Sequence, residues 1–230
     1  MSSREHRHPF VPYAVPRLPI DEGLRRGEEF YQELDRRRSV RWFSPDPVPQ
    51  RAIEIAVQAA NTAPSGAHQQ PWTFVATSDP KLKRAVRAAA EEEERRFYHD
   101  RELPEWHAAL DRLETDEHKE FLETAPWLVV VFAQKHTPTA DGGLRKNYYV
   151  SESIGIACGL FLATLHRMGL ATLTHTPNPM NFLTKLLDRP RTERPYILFP
   201  IGYPADDCEV PVLERKPLSE ALVVRRPAGP

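Results

Sequence analysis

Trp127-Leu128-Val129-Val130-Val131-Phe132-Ala133 is an uninterrupted apolar run. A strand wetted on one side alternates polar and apolar residues; this one does not, so it reads as a strand buried on both faces. Such a strand needs cover above and below. Trp72-Thr73-Phe74-Val75-Ala76, Leu170 to Thr174 and Tyr196-Ile197-Leu198-Phe199-Pro200-Ile201-Gly202 read as further strands. Apolar residues recur at helical spacing from Asp21 to about Arg37, from Pro49 to Asn61, from Asp79-Pro80 towards Tyr98, from Glu105 to Glu123, from about Tyr149 to Met168, and around Asn181–Leu187. The 149–168 segment is apolar nearly all round, with Gly155, Gly159 and Ala163 as small residues, and reads as the central helix; Cys158 reads as core within it. A polar loop with Gly142-Gly143 precedes it. Mixed helices and short buried strands give the α+β class.

Composition limits the partners. With 31 basic and 32 acidic residues the net charge is −1, which argues against nucleic acid or an anionic membrane surface. Two cysteines give no disulfide framework, and no CxxC or Cys/His spacing suggests zinc. His6 and His8 on the N-terminal arm lack a further ligand nearby, so no metal is expected. The 23 prolines are a tenth of the chain against about 5% in typical proteins; scattered singly, they mark rigid turns and an extended arm over residues 1–20. Nothing in Met1–Pro19 resembles a signal peptide, and Ile154–Leu165 is shorter than the roughly 20 residues that span a bilayer. A soluble cytoplasmic protein without a membrane anchor is expected, with one main domain over 21–224 and a short tail at 225–230.

Four stretches carry chemistry. Arg36-Arg37-Arg38-Ser39-Val40-Arg41 is either a solvated helix C-terminus, where cations suit the dipole, or a phosphate clamp built from guanidinium forks and a hydroxyl. Thr62-Ala63-Pro64-Ser65-Gly66-Ala67-His68-Gln69-Gln70-Pro71 joins a helix to a strand and can expose backbone N–H groups to a flat ligand. No GxSxG elbow surrounds Ser65, which disfavours a serine hydrolase, and no GxGxxG follows a strand, which disfavours a Rossmann site. In Glu91-Glu92-Glu93-Glu94-Arg95-Arg96-Phe97-Tyr98, Glu91 can pair with Arg95 and Glu92 with Arg96, while Glu94 shares a face with Tyr98. Lys119 sits among acids and reads either as a surface partner of Glu123 or Asp116 or as part of a ligand site.

The arginine run and Ala63-Pro64-Ser65-Gly66-Ala67-His68 before a strand resemble the FMN-dependent nitroreductase superfamily. Pro71-Trp72-Thr73-Phe74, the Glu-rich helix, Ile156-Ala157-Cys158-Gly159, Gly202-Tyr203-Pro204 and Arg215-Lys216-Pro217-Leu218 extend the likeness over about residues 30–224. The placement of Glu94, Tyr98 and Lys119 narrows it to the iodotyrosine deiodinase family. The resemblance implies a three-layer α+β fold, a central mixed sheet flanked by helices, in a domain-swapped homodimer, with FMN at the interface and a helical lid over about 91–122. It assigns Arg37, Arg38, Ser39, Val40, Arg41, Ser65, Gly66, Thr174, His175, Thr176 and Arg215 to the cofactor. It assigns the Ala67 N–H to the substrate phenolate, and Glu94, Tyr98 and Lys119 to the amino-acid zwitterion. Thr176 is the catalytic candidate, a hydroxyl at flavin N5 that favours one-electron steps. His175 stands where the family carries a small hydroxyl residue.

The implied activity is reductive removal of halide from halotyrosines, with electrons from an external reductant or reductase. The alternative is a general NAD(P)H-dependent nitroreductase or quinone reductase, in which Glu94, Tyr98 and Lys119 are only lid contacts.

Overall fold

The computed structural model describes residues 8–100 and 110–226, so the expectations at His6, Pro104 and Trp106 lie outside the described residues. The chain forms two compact units, divided between Arg37 and Arg38. The first holds helix α1 (Ile20–Asp35), none of whose residues is buried. In the second, order along the chain is α2 (Gln50–Ala60), β1 (Trp72–Thr77), α3 (Pro80–Asp100), α4 (Phe121–Thr124), β2 (Trp127–Gln134), β3 (His136–Pro138), β4 (Leu144–Lys146), α5 (Val150–Arg167), β5 (Ala171–Thr172), α6 (Asn181–Leu186), β6 (Glu193–Gly202) and α7 (Leu218–Ala221).

Strand β2 is central, and the strand order is β1-β2-β6-β5. Its ladders to β1 and β6, and that of β5 to β6, are antiparallel. Parallel pairing enters through one bridge, Ser39 to Thr172. Side chains alternate across a strand, so β2 feeds two cores at once. Val129, Val131 and Ala133 meet Ile53, Ala56 and Ala60 of α2 and Ile154, Ala157 and Phe161 of α5. Leu128, Val130 and Phe132 meet Val86 and Ala90 of α3, Leu122 of α4 and Leu183 of α6. Helices therefore cover both faces, giving three layers. Cys158 lies in the first core, where burial pushes its thiol up to about 12.

Two expectations need correction. The Gly142-Gly143 loop is the turn of a hairpin, β3 with β4, closed by Thr139 N–H on the Gly143 carbonyl at 2.9 Å and Gly142 N–H on that of Thr139 at 3.0 Å. Three-residue strands are too short for periodicity to reveal. Nor is 105–123 one helix among the described residues. Leu110 and Asp111 are helical, but Glu114 takes a left-handed φ of 46° and regular structure resumes only at α4. Asp116 then accepts the His118 N–H at 2.9 Å, a side-chain bond that competes with helix. No helix among the described residues is long and apolar enough to cross a membrane.

The end of β6 is packed against the residue that leads into β2. A Cβ at Gly202 would lie 2.7 Å from Pro126 Cδ and 3.2 Å from the Phe43 ring, and neither a proline ring nor a buried phenyl can swing away. Gly202→Ala is expected to lower unfolding free energy by about 1–3 kcal/mol through overpacking, read as a shifted urea midpoint at unchanged m; an unshifted midpoint would show that the strand ends have slack.

Candidate active site

A cavity of about 940 Å³ opens between the end of α3, the 110–121 segment, the Arg41–Phe43 stretch and Leu173–Thr176. Helix α3 brings Glu94 and Tyr98 to it from one face, as i,i+4 spacing requires. The 110–121 segment brings Lys119 from the other side. Lys119 Nζ lies 3.5 Å from Glu94 Oε2 and 5.9 Å from the Tyr98 ring centre, and it also donates to the Asp116 carbonyl. The Tyr98 hydroxyl donates to the Thr115 carbonyl at 2.9 Å. Lys119 is only 5% exposed, which excludes the surface reading: its carboxylate partner is Glu94 on another element, not Glu123 or Asp116. Burial raises the Glu94 carboxyl above its ordinary value against the opposing pull of Lys119. An ion pair held this far from water is strongly coupled, and removing either partner leaves an uncompensated charge.

The residues assigned to the cofactor divide into groups. Arg41, Thr174, His175 and Thr176 line the cavity. Arg41 is half-buried, and burial lowers its pKa with Tyr98 opposing; it remains a cation. Thr174 and Thr176 are exposed, and neither hydroxyl is engaged among the described residues. Arg38 donates to the Pro211 carbonyl instead of facing the cavity. Ser39 bridges Thr172, and the Val40 N–H donates to the Thr172 carbonyl at 3.2 Å. The Val40 side chain is in the core, so only its backbone can meet a ligand. Arg215 lies on the exposed segment before α7. Arg37 closes the N-terminal unit, its N–H on the Leu34 carbonyl at 3.0 Å. Within the second unit, the Arg38 side chain is thus on a backbone carbonyl and that of Arg41 at the cavity.

Ser65, Gly66 and Ala67 are not among the lining residues of the cavity. Their loop instead abuts the start of α5. The Gly66 N–H reaches Ser153 Oγ at 3.4 Å, and a Cβ on Gly66 would meet the Tyr149 ring at 2.8 Å and the Tyr148 carbonyl at 2.9 Å. Ser65 Oγ accepts the Gln70 N–H at 2.9 Å. Ala67, His68 and Gln70 all take left-handed φ values, 49°, 55° and 48°. Such conformations cost non-glycine residues on the order of 1 kcal/mol each and cluster at functional loops. The loop leaves the Ala67 N–H without an acceptor among the described residues, on an exposed residue.

His175 lines the cavity with its ring turned into the protein. Its backbone N–H and carbonyl are both spent on Leu198, at 2.8 and 3.0 Å. Its ring is buried edge-on against Phe121, centroids 5.6 Å apart, and Nε2 has no hydrogen-bond partner among the described residues. Burial, with Lys119 and Arg41 adding to it, drives its pKa down to about 3. The imidazole is thus a neutral part of the wall behind two cations.

The sequence reading missed a second layer under Lys119. Glu91 pairs with Arg87 at 2.8 Å and not with Arg95, which reaches Glu92 at 2.6 Å, as Arg96 does at 2.9 Å. The signal was available, since Arg87 and Glu91 are i,i+4 on α3. Glu91, His118 and Glu120 offer donor atoms within 4.8 Å of one another, but Arg87 already holds both carboxylates.

The His175 environment predicts acid sensitivity. Below the ordinary value of 6.5 the unfolded chain takes up a proton that the folded chain refuses until about 3. Stability therefore falls as pH drops through that window, by about 1.4 kcal/mol per unit from this group. Replacing His175 with Asn is expected to flatten the stability slope between pH 6 and 4.5, measured by urea titration; an unchanged slope would place the sensitivity elsewhere.

The nitroreductase family profile matches residues 34–203. Iodotyrosine deiodinase of Haliscomenobacter hydrossis is 52% identical over 215 residues, covering 94% of this chain and 97% of its own. Iodotyrosine deiodinase 1 of Sus scrofa is 44% identical over 223 residues, 96% of this chain and 76% of its own. The crystal structure of oxidized iodotyrosine deiodinase bound to FMN and 3-iodo-L-tyrosine superposes with a TM-score of 0.74 at 30% identity, covering 87% of this chain and 100% of that one. On sequence and architecture together, the chain belongs to the nitroreductase family, in its iodotyrosine deiodinase branch.

Proposed function

We propose that this protein is an FMN-dependent reductive dehalogenase, converting 3-iodo-L-tyrosine and related mono- and dihalotyrosines to tyrosine and halide. The observation that carries this reading is the pair of buried Lys119 and half-buried Glu94 beside Tyr98 in the cavity wall. A free amino acid bears an ammonium and a carboxylate. Its zwitterion substitutes for the ion pair term by term: ammonium to Glu94, carboxylate to Lys119, with the Tyr98 hydroxyl as a further donor. A neutral quinone or nitroarene can accept a hydrogen bond from Lys119 but brings no cation to Glu94 and no full anion to Lys119.

The donor set suits a phosphorylated flavin. Of the cavity's lining, Arg41 offers a cation and Thr174 and Thr176 two hydroxyls that no described residue engages; Arg38, Ser39 and Arg215, which the family likeness assigns to the cofactor, lie outside that lining. When bound, FMN supplies the two electrons that, with one proton, replace the carbon–halogen bond by carbon–hydrogen and release halide. The chain's own residues do the rest. Glu94, Tyr98 and Lys119 fix the amino-acid end, so the ring is held in one orientation. The 110–121 segment, joined to α3 through that clamp, shields the ring from water. Thr176 is the hydroxyl assigned to the cofactor's reactive edge, and Ala67 N–H the donor to the substrate phenolate. An ortho halogen lowers the phenol pKa below the roughly 10 of tyrosine, so a donor that favours the anion selects halotyrosine over tyrosine.

Ala67 can reach that phenolate only from a second copy, because its loop does not line its own chain's cavity. We therefore infer a homodimer with the flavin at the interface. The surface supports it: α5 leaves Gly155, Ile156, Gly159 and Leu160 exposed as an apolar stripe, and a Cβ at either glycine would touch nothing within 4 Å of its own chain. Small residues on an exposed apolar helix face suit close packing against a partner.

Two tests separate these claims. Glu94→Gln and Lys119→Gln are each expected to weaken 3-iodotyrosine binding at least about tenfold, read by quenching of bound FMN fluorescence; unchanged affinity would sink the zwitterion clamp. Gly159→Arg, which has room in the monomer, is expected to turn a dimer into a monomer by light scattering and to release FMN. A dimer that survives it would move the interface off α5.

A further inference from the structure

Lys119 can act on a ligand only if its backbone is held, because four rotatable bonds separate its ammonium from the main chain. No regular structure holds it: Lys119 lies between the left-handed Glu114 and the start of α4. Its N–H is served by a side chain. Glu91 Oε1 accepts that N–H at 2.8 Å, and the same oxygen accepts Arg87 Nε at 2.8 Å. Arg87 in turn reaches Glu120 Oε1 at 3.2 Å and Glu123 Oε2 at 3.4 Å, on the segment that follows Lys119. Arg84 holds the other oxygen of Glu123 at 3.0 Å. Glu91 and Glu94 are i,i+3 on α3 and so share a face. One face of one helix therefore grips the lysine twice, Glu91 at its backbone and Glu94 at its ammonium.

We infer that Glu91, locked by Arg87, is a positioning residue for substrate recognition: it latches the 115–123 segment onto α3 and thereby sets Lys119 Nζ where it can receive the substrate carboxylate. This rests on the zwitterion reading above and adds a requirement to it. Glu94 and Lys119 are not sufficient as a pair; the distance between them is set by a second carboxylate one turn earlier. The geometry also explains why an acidic run occupies this helix. Glu92 pairs only along the helix, with Arg95 and Arg96, whereas Glu91 and Glu94 both cross to the other segment. Glu91 stays ionised: burial would raise its pKa, but the bonds from Arg87 and the Lys119 N–H outweigh that and hold it below the ordinary value.

The test uses the FMN-loaded enzyme with two substrates, 3-iodotyrosine and 2-iodophenol, which has the ring and halogen but no zwitterion. Glu91→Ala is expected to raise KM for 3-iodotyrosine about tenfold with kcat within about twofold, the effect of a lost charge-assisted hydrogen bond. It is expected to leave 2-iodophenol turnover unchanged and to expose the Lys119 amide to hydrogen exchange. Glu91→Gln, whose carboxamide oxygen can still accept that N–H, is expected to restore most of the affinity. Equal losses on both substrates would mean general damage to the fold and would overturn the inference, as would an unchanged KM or an unchanged Lys119 exchange rate in Glu91→Ala. Glu94→Gln run alongside assigns the fault. If it raises KM while Glu91→Ala does not, the latch alone is wrong; if neither does, the zwitterion reading falls and takes the latch with it.

Discussion

A strand that is apolar on both faces cannot exist alone, and everything else in this fold answers that constraint. Strand β2 exposes Val129, Val131 and Ala133 to one side and Leu128, Val130 and Phe132 to the other. Helices α2 and α5 cover the first set, and α3, α4 and α6 the second. Burying six such side chains is worth on the order of 10 kcal/mol before entropy is counted, so neither layer is optional. The second layer matters most for function, because α3 is both a wall of the core and the platform of the site. Val86 and Ala90 point into the core, and Glu91, Glu94 and Tyr98 continue the same helix towards the cavity.

The site is thereby a rigid helix facing an irregular segment. Helix α3 fixes two carboxylates and a phenol; the 110–121 stretch carries the lysine they address. Charge does the joining. Arg87, Glu91, Glu120 and Glu123 form the base of the contact, and Glu94 with Lys119 its functional end. Surface ion pairs contribute little, but this lysine is almost wholly out of water, so the contact is selective: only a ligand with matching charges can replace it without leaving one bare. The opposite wall is quieter. His175 is neutral and buried, which lets Lys119 and Arg41 stand near it without a third positive charge.

Much of this was legible beforehand because its signals are local. The continuous apolar run of β2, the near all-apolar α5, and Glu94 with Tyr98 one turn apart are patterns within a single element, and periodicity reads them directly. The hairpin at 136–146 escaped because its strands are three residues long, and the break in 105–123 escaped because a side-chain hydrogen bond at Asp116 overrode an amphipathic pattern. Glu91 was assigned to Arg95 on spacing alone. Both Arg87 and Arg95 lie four residues from it, and only the arrival of Lys119 and Glu120 from another segment favours the first.

By itself the sequence determined the elements and the chemical inventory: which strands are buried, which segments are helical, and that an acid, a phenol and a lysine could meet an amino acid. The tertiary structure decided how these groups are shared out. It sent Arg38 to a backbone carbonyl and Arg41 into the cavity, turned His175 inward, kept Ser65, Gly66 and Ala67 off their own chain's cavity, and gave Lys119 two carboxylates in place of one. The reason is that helical and strand periodicity follow from backbone geometry within a few residues. The partner of a charge depends instead on which segments the packing of the core brings within about 4 Å, and no spacing along the chain encodes that distance.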